Sequence, residues 1–216
     1  MLSKLSNVVF TRYFASLSAA KKVAYLAVFI ALSVVVNSFI EISAPSTKIT
    51  FTYFVCFLAG FLLGPLPGFL VGFLGDAIGF LLVPQDVYWF FGLTLGLFGM
   101  IAGFVRKIPL RGRAGVFGKA VIALVINYLF ITCFVNSLVN YSYVYIFLPH
   151  VVEGKTFWIY LSGRLVTQTI VYAVNVAAVA VVLSVFVTTN LFGLFRDELY
   201  ARTGEAVGHR PEVKTS

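Results

Sequence analysis

Residues 64–84 read GPLPGFLVGFLGDAIGFLLVP, and this stretch decides the class of fold. Five of its residues are glycines, and Asp76 is its single charged residue. A carboxylate at the centre of a bilayer costs about 2.5–3.5 kcal/mol on insertion scales, so such a residue usually serves a ligand or a structural partner. The stretch therefore predicts a membrane helix that needs its one acid.

The composition of the whole chain agrees with a membrane protein. Of 216 residues, 60% are hydrophobic and 11% are charged, with a mean hydropathy of +0.98, whereas soluble domains carry about 25% charged residues. Thirteen of the sixteen Lys and Arg residues lie in residues 1–22, 106–119 and 196–216, which flank apolar runs. This pattern is that of the positive-inside rule and argues against a nucleic-acid partner.

Six apolar runs are candidates for membrane-spanning helices. They are residues 22–40, 50–63, 66–83, 88–105, 118–140 and 157–188. The second and third runs are separated only by Gly64-Pro65-Leu66-Pro67, which predicts a tight hairpin. An even number of spans puts both termini, and with them the three basic segments, on the cytoplasmic side.

The predicted fold is an all-α integral membrane protein with six transmembrane helices and both termini in the cytoplasm. We divide the chain into a cytoplasmic or interfacial segment (1–20), a six-helix substrate-binding domain (21–190) and a polar cytoplasmic tail (191–216). The last apolar run is longer than one bilayer crossing, which predicts tilting or projection beyond the membrane.

Motifs for catalysis are absent from the sequence. It contains no H-E-x-x-H, no G-x-S-x-G and no G-x-x-x-x-G-K-[ST]. His150 and His209 both fall outside the predicted spans, and Cys56 and Cys133 fall within apolar runs, where they are typical packing residues. We therefore expect no catalytic residue, no metal and no cofactor. An integral membrane enzyme, or a structural subunit without a ligand, remains the alternative from another class.

Two charged residues lie well inside the predicted spans, namely Asp76 and Arg164. Counted from the outer helix ends at 1.5 Å per residue, both lie about 10–12 Å below the outer boundary. They can pair with each other or flank one polar ligand. A structural salt bridge, or an arginine that snorkels outward, is the alternative interpretation.

Further polar and aromatic residues are predicted at a similar depth. Asn136, Asn140 and Gln168 supply amides, and Tyr88, Trp89 and Phe91 open the fourth span. Aromatic residues at helix ends are often only interfacial anchors, which is the alternative for these three. In the first span, Ala27 and Ala31 form a small-x-x-x-small pattern that permits close helix approach, either within the chain or to another subunit.

These motifs together resemble the substrate-binding S-component of an energy-coupling factor (ECF) vitamin transporter. The resemblance covers residues 21–188 and is carried by Ala27-x-x-x-Ala31, by GPLPGFLVGFLGD (64–76) and by FGLTLG (91–96). The glycine–proline run ending at Asp76 is shared by several subfamilies. It therefore indicates the class and not the vitamin.

Within the class the chain is most similar to the folate-specific members. The segments that carry this likeness are TKITF (47–51), Gly92 with Thr94, and GRLVTQ (163–168). Leu93 stands where an aromatic residue is usual, and Lys48 stands where an arginine is frequent. The resemblance implies these ligand-binding residues: Lys48, Asp76, Tyr88, Trp89, Phe91, Thr94, Asn136, Asn140, Arg164 and Gln168.

The resemblance also implies partners and a location. In the family, a membrane coupling subunit contacts the alanine motif, here Ala27 and Ala31, and two ATPase subunits hydrolyse ATP. We therefore expect a high-affinity folate-binding transport subunit, not an enzyme, in a bacterial plasma membrane. The alternatives within the class are riboflavin, pantothenate or another small precursor.

Overall fold

The computed structural model describes residues 8–38, 41–44, 47–84 and 87–189. Apart from one short hairpin of strands, the described part is helical, and its helices and strands are numbered here in chain order. They are α1 (Arg12–Ser16), α2 (Ala19–Ser38), β1 (Glu41–Ala44), β2 (Thr47–Thr50), α3 (Thr52–Leu63), α4 (Pro65–Leu82), α5 (Phe91–Arg106), α6 (Gly112–Ile126), a π-helical segment (Asn127–Val135), α7 (Asn136–Phe147), α8 (Pro149–Val152) and α9 (Phe157–Thr189).

Four helical stretches of the described chain are long and apolar enough to cross a membrane. They are Ala19–Ser38, Pro65–Leu82, Gly112–Phe147 and Phe157–Thr189. The other two predicted spans are shorter apolar helices, α3 with 12 residues and α5 with 16. The predicted order of helices is thus present, whereas the count of six crossings and the side of each terminus stay predictions.

The shortness of α3 has a physical reason in its surroundings. Twelve residues extend about 18 Å, well short of a hydrocarbon core of about 30 Å. Nearly every side chain of α3 is buried, and Val55, Cys56 and Phe57 have no exposed surface. Because its neighbours surround it, α3 does not need to match the thickness of the lipid.

Three glycines bring α3, α4 and α5 into backbone contact. A Cβ atom on Gly60 would lie 1.8 Å from the carbonyl oxygen of Gly99, and one on Gly68 would lie 2.5 Å from the Cα of Gly60. No side chain fits at these distances. The glycine stripe of α4, formed by Gly68, Gly72, Gly75 and Gly79, therefore packs closely, and this crossing fixes the centre of the bundle.

The hairpin between α3 and α4 turns at Gly64, whose φ of 127° lies in the region that favours glycine. Residues before α2 pack onto this turn. The backbone N–H of Thr11 donates to Leu63 O at 2.9 Å, and its Oγ1 donates to Leu62 O at 3.0 Å. Since these carbonyls end α3 and lack helical partners, Thr11 serves as their cap. Phe14 follows it into the core with 1% of its surface exposed.

The structure changes several boundaries that the sequence predicts. The predicted loop after the first span contains the antiparallel strands β1 and β2, with Glu41 opposite Thr50 and Ala44 opposite Thr47. The predicted fifth span, 118–140, is the middle of one helical stretch of 36 residues, Gly112–Phe147, which includes the π-helical segment. As predicted, the last helix is long, with 33 residues. The tail 191–216 and residues 1–7 lie outside the described residues.

Candidate functional site

A cavity of about 470 Å³ lies at one end of the bundle. Its walls are the C-terminal ends of α2 and α4, the N-terminal ends of α3 and α5, the α7 helix and the first half of α9. The basic residues Lys21, Lys22 and Arg106 belong to the opposite ends of their helices. This volume is within the range of small-molecule sites, which is about 300–1,000 Å³.

The cavity brings together nine of the ten residues that the sequence predicts to bind a ligand. They are Asp76, Tyr88, Trp89, Phe91, Thr94, Asn136, Asn140, Arg164 and Gln168. The tenth, Lys48, belongs to β2 opposite Ser43, and its side chain lies outside what the structure describes. Asp76 and Arg164 thus line the same cavity, while their common depth in the membrane and ligand binding by these residues stay predictions.

The Asp76 carboxylate is held by groups of the protein. Asn37 Nδ2 on α2 donates to Asp76 Oδ1 at 3.1 Å, and Thr52 Oγ1 on α3 donates to Asn37 Oδ1 at 3.1 Å. The hydroxyl of Tyr88 and the backbone N–H of Gly92 also bond to the carboxylate. Asp76 therefore connects α4 to three other parts of the chain, a structural role that accounts for its cost within the membrane.

Tyr88 lies in the connection between α4 and α5, outside both helices. The Tyr88 hydroxyl donates to the Asp76 carboxylate. A Cβ atom on Gly92 would lie 2.6 Å from this hydroxyl and 3.1 Å from Asp76 Oδ2, so a side chain at Gly92 would displace these groups.

Arg164 has different partners. Its Nη1 donates to the hydroxyl of Tyr160 at 3.2 Å. With the Gln168 amide oriented so that its oxygen faces the guanidinium, that oxygen accepts from Arg164 Nε at 3.2 Å and from Nη2 at 3.1 Å. All these partners are neutral. Within the described residues no acidic side chain pairs with Arg164, so its positive charge faces the cavity without a counter-charge.

Asp76 and Arg164 therefore share a cavity without forming an ion pair. Of the two sequence hypotheses, the structural salt bridge between them is wrong for the described residues, because each group has other partners. The Asp76 carboxylate has its hydrogen-bond partners within the protein, whereas among the described residues the positive charge of Arg164 remains available to a ligand. Such a site favours an anionic or strongly polar ligand.

The aromatic residues of the cavity form one wall. Trp89 Nε1 donates to Ser142 Oγ on α7 at 3.2 Å, and the rings of Phe91 and Tyr143 have their centroids 5.9 Å apart. These contacts join the start of α5 to α7. Aromatic side chains and a guanidinium that line the same cavity suit a ligand with both a ring system and an anionic group.

Several polar groups of the site are engaged by the protein itself. Thr94 Oγ1 donates to Phe91 O at 2.7 Å within its own helix. The amide of Asn136 donates to the hydroxyl of Tyr53, and Asn140 Oδ1 accepts from Tyr160. The sequence reasoning did not name four residues that the structure places in or beside the cavity: Thr52, Tyr53, Tyr143 and Tyr160. The position of Tyr160, four residues before Arg164, is the one spacing signal among them.

The alanine motif lies on the surface of the bundle. Ala27 and Ala31 are both exposed on α2, and Val28 between them has 65% of its surface exposed. In the part that the structure describes, therefore, this motif makes no close helix contact within the chain, and its use towards another subunit stays a prediction. Among the described residues, no group of three or more His, Cys, Asp or Glu side chains is placed to hold a metal ion.

Two kinds of known protein are similar to the chain. A solved structure described as FolT bound with folic acid superposes with a TM-score of 0.58, covering 74% of this chain and 90% of that one at 23% identity, which shows a shared fold. Curated relatives include a UPF0397 protein of Streptococcus pneumoniae, 36% identical over 88 residues, and one of Streptococcus gordonii, 38% identical over 73 residues. These matches cover 40% and 34% of this chain, and 48% and 39% of the relatives. The chain thus spans about half or less of the length of the curated relatives it matches.

A family model covers much more of the sequence. The model described as ECF-type riboflavin transporter, S component, matches residues 17–189, which include every described element from α2 to α9. The resemblance seen in the sequence is confirmed at the level of the family. This chain belongs to the family of S-components of ECF-type transporters that the model describes.

Proposed function

We propose that the chain is the folate-binding subunit of an ATP-driven ECF vitamin uptake transporter. A substrate-binding component carries a transported vitamin and not a catalytic cofactor. The observation that carries the choice of folate is the charge of Arg164, which lines the cavity and bonds to neutral partners. A ligand with a carboxylate supplies the counter-charge that the described residues lack.

The chemistry of folate matches the two halves of the site. Its flat pterin and benzoate rings suit the wall that contains Trp89, Phe91 and Tyr143. Its glutamate tail carries two carboxylates, and a guanidinium binds a carboxylate through two parallel hydrogen bonds. In this proposal Asn136 and Asn140 face the polar edge of the ligand. Asp76 holds the elements that form the cavity wall through its hydrogen bonds.

Riboflavin is the second candidate, because the description of the family model names it. Its flat ring system also suits the aromatic wall. Its ribityl chain is uncharged, however, and would leave Arg164 in the cavity without a counter-charge. Pantothenate has the opposite mismatch, since it carries a carboxylate and no ring. Folate satisfies both features, and we therefore place it first.

Transport requires partners that supply energy. The sequence contains no phosphate-binding loop, so in this proposal two partner ATPase subunits hydrolyse ATP and a membrane coupling subunit docks on Ala27 and Ala31. The exposure of both alanines leaves this face open to a partner helix. The proposed setting is a bacterial plasma membrane, with six crossings and both termini in the cytoplasm.

The test is equilibrium binding by purified protein, without ATP, to a panel of folate, riboflavin and pantothenate. Tryptophan fluorescence reports occupancy in a Trp158→Phe background, in which Trp89, which lines the cavity, is the one tryptophan of the sequence. We expect tight binding of folate and a loss of well over tenfold, more than about 1.4 kcal/mol, on Arg164→Ala. Lys155→Ala removes an exposed charge whose Nζ bonds to Val151 O, and serves as the control. Binding of riboflavin but not folate would reject the proposed vitamin and keep the class.

A further inference from the structure

Tyr160 connects the cationic residue of the cavity to a facing helix. It lies on α9 one turn before Arg164, and its hydroxyl accepts from Arg164 Nη1 at 3.2 Å. The same hydroxyl donates to Asn140 Oδ1 on α7. One phenol group thus links the guanidinium of α9 to an amide of α7, both of which line the cavity.

The opposite edge of the guanidinium is held as well. The amide oxygen of Gln168, one turn after Arg164, accepts from Nε and from Nη2. An arginine has five N–H groups in a rigid plane. Three of them are used by these two neighbours among the described residues. One N–H remains on each of Nη1 and Nη2, the two nitrogens of the terminal edge, and is available to a ligand carboxylate.

We propose that Tyr160 is a positioning residue that, together with Gln168, directs the terminal edge of Arg164 towards an anionic group of the ligand. The proposal rests on the proposed function, since it assigns how the cavity recognises the charged part of its vitamin. A free arginine side chain loses rotamer entropy when a ligand fixes it. Bonds on both sides restrict it before the ligand arrives, which improves affinity by preorganisation.

The substitution Tyr160→Phe isolates the role of the hydroxyl. The ring of Tyr160 packs with its centroid 5.4 Å from that of Tyr141, and phenylalanine retains this packing. Only the bonds to Arg164 and Asn140 are lost. Tyr145→Phe is the matched control, because Tyr145 is 63% exposed and its ring also packs on that of Tyr141.

The experiment is a double-mutant cycle on folate affinity, read from the fluorescence of Trp89. We expect Tyr160→Phe to weaken folate binding about tenfold in the wild-type background, and less than about twofold in the Arg164→Ala background. Tyr145→Phe should change affinity less than about twofold. A tenfold loss in both backgrounds would overturn the proposal, because Tyr160 would then act without Arg164.

A second cycle does not depend on the vitamin. Thermal unfolding midpoints of the ligand-free protein in detergent are measured for Tyr160→Phe, Arg164→Ala and the double variant. The decreases of the midpoint in the two single variants should sum to more than the decrease in the double variant, since each single substitution removes the same contact between Tyr160 and Arg164. Additive losses would overturn the positioning role even if folate binds. If the wild type binds no folate but the losses are non-additive, the proposed vitamin fails and the positioning of Arg164 stands.

Discussion

The amide of Asn37 donates to Asp76 Oδ1 across 3.1 Å, and this bond joins the end of α2 to the C-terminal half of α4. Thr52 extends the link to α3 through Asn37 Oδ1. The acid of the glycine-rich stretch thus ties together the helices that enclose the cavity. Because its carboxylate is occupied by Asn37, Tyr88 and Gly92, we infer that it shapes the cavity more than it binds ligand.

Replacing Asp76 tests this structural role. Asp76→Ala should lower the free energy of unfolding by about 1–3 kcal/mol, because it leaves the donors of Asn37, Tyr88 and Gly92 without their acceptor. Asp76→Asn keeps one oxygen and should lose less. The measurement is thermal unfolding in detergent, alongside folate affinity. An unchanged midpoint with a loss of affinity well over tenfold would instead make Asp76 a ligand contact.

The charge of Arg164 can be neutralised by a neighbouring carboxylate while the arginine itself is kept. In Gln168→Glu a carboxylate replaces the amide that faces Arg164 Nε and Nη2 at 3.2 and 3.1 Å. The new internal ion pair competes with an anionic ligand, so folate affinity should fall more than tenfold, while the unfolding midpoint is retained or raised.

Gln168→Leu is the control for this charge effect, because it removes the same acceptor without adding a charge. Its loss of folate affinity should be clearly smaller than that of Gln168→Glu. Equal losses in the two variants would show that the amide contact matters and that the net charge at Arg164 does not.

The crossing of α3 and α5 should tolerate no side chain at Gly60. A Cβ atom there would lie 1.8 Å from Gly99 O, so Gly60→Ala must separate the two backbones. We expect a loss of at least about 1–3 kcal/mol, the usual cost of overpacking. Gly118→Ala on α6 is the control, since its Cβ would meet its nearest atom, Leu110 Cδ1, at an ordinary 3.9 Å. Similar unfolding midpoints for both variants would contradict the close crossing.

The alanine face of α2 should matter for assembly and not for ligand binding. Ala27→Leu with Ala31→Leu places two large side chains on an exposed surface and should block the docking of a coupling subunit. Val28→Leu enlarges a 65%-exposed side chain between them and is the control. Co-purification with the coupling module and folate affinity are measured together. Retained assembly in the double variant would exclude this face as the docking site.

Part of the fold follows from local sequence, and the reason is physical. Every charge and every unpaired backbone group is energetically unfavourable within a membrane. The apolar runs and the basic segments between them therefore identify the helices. Gly64-Pro65 predicts the hairpin because proline ends one helix and begins another. The common depth of Asp76 and Arg164 follows from counting residues at a fixed rise.

Local sequence does not predict which residues make the contacts between helices. The spacing of residues places Asp76 beside its glycine stripe, but nothing local selects Asn37 and Tyr88 as its partners. Thr11 looks like part of an interfacial segment, and in the structure it caps the end of α3. The π-helical segment and the strands β1 and β2 likewise have no clear local signal.

By itself, the sequence determined that the chain is a helical membrane protein with one acid and one base in its apolar part. The tertiary structure alone decided that these charges line one cavity and do not pair. The physical reason is that hydropathy gives only the free-energy cost of placing each residue in a membrane. Pairing depends in addition on the direction in which a side chain points, and this is set by the rotation of each helix against its neighbours. GPLPGFLVGFLGDAIGFLLVP supplies the acid, and the packing of α2, α3 and α5 around it assigns that acid its partners.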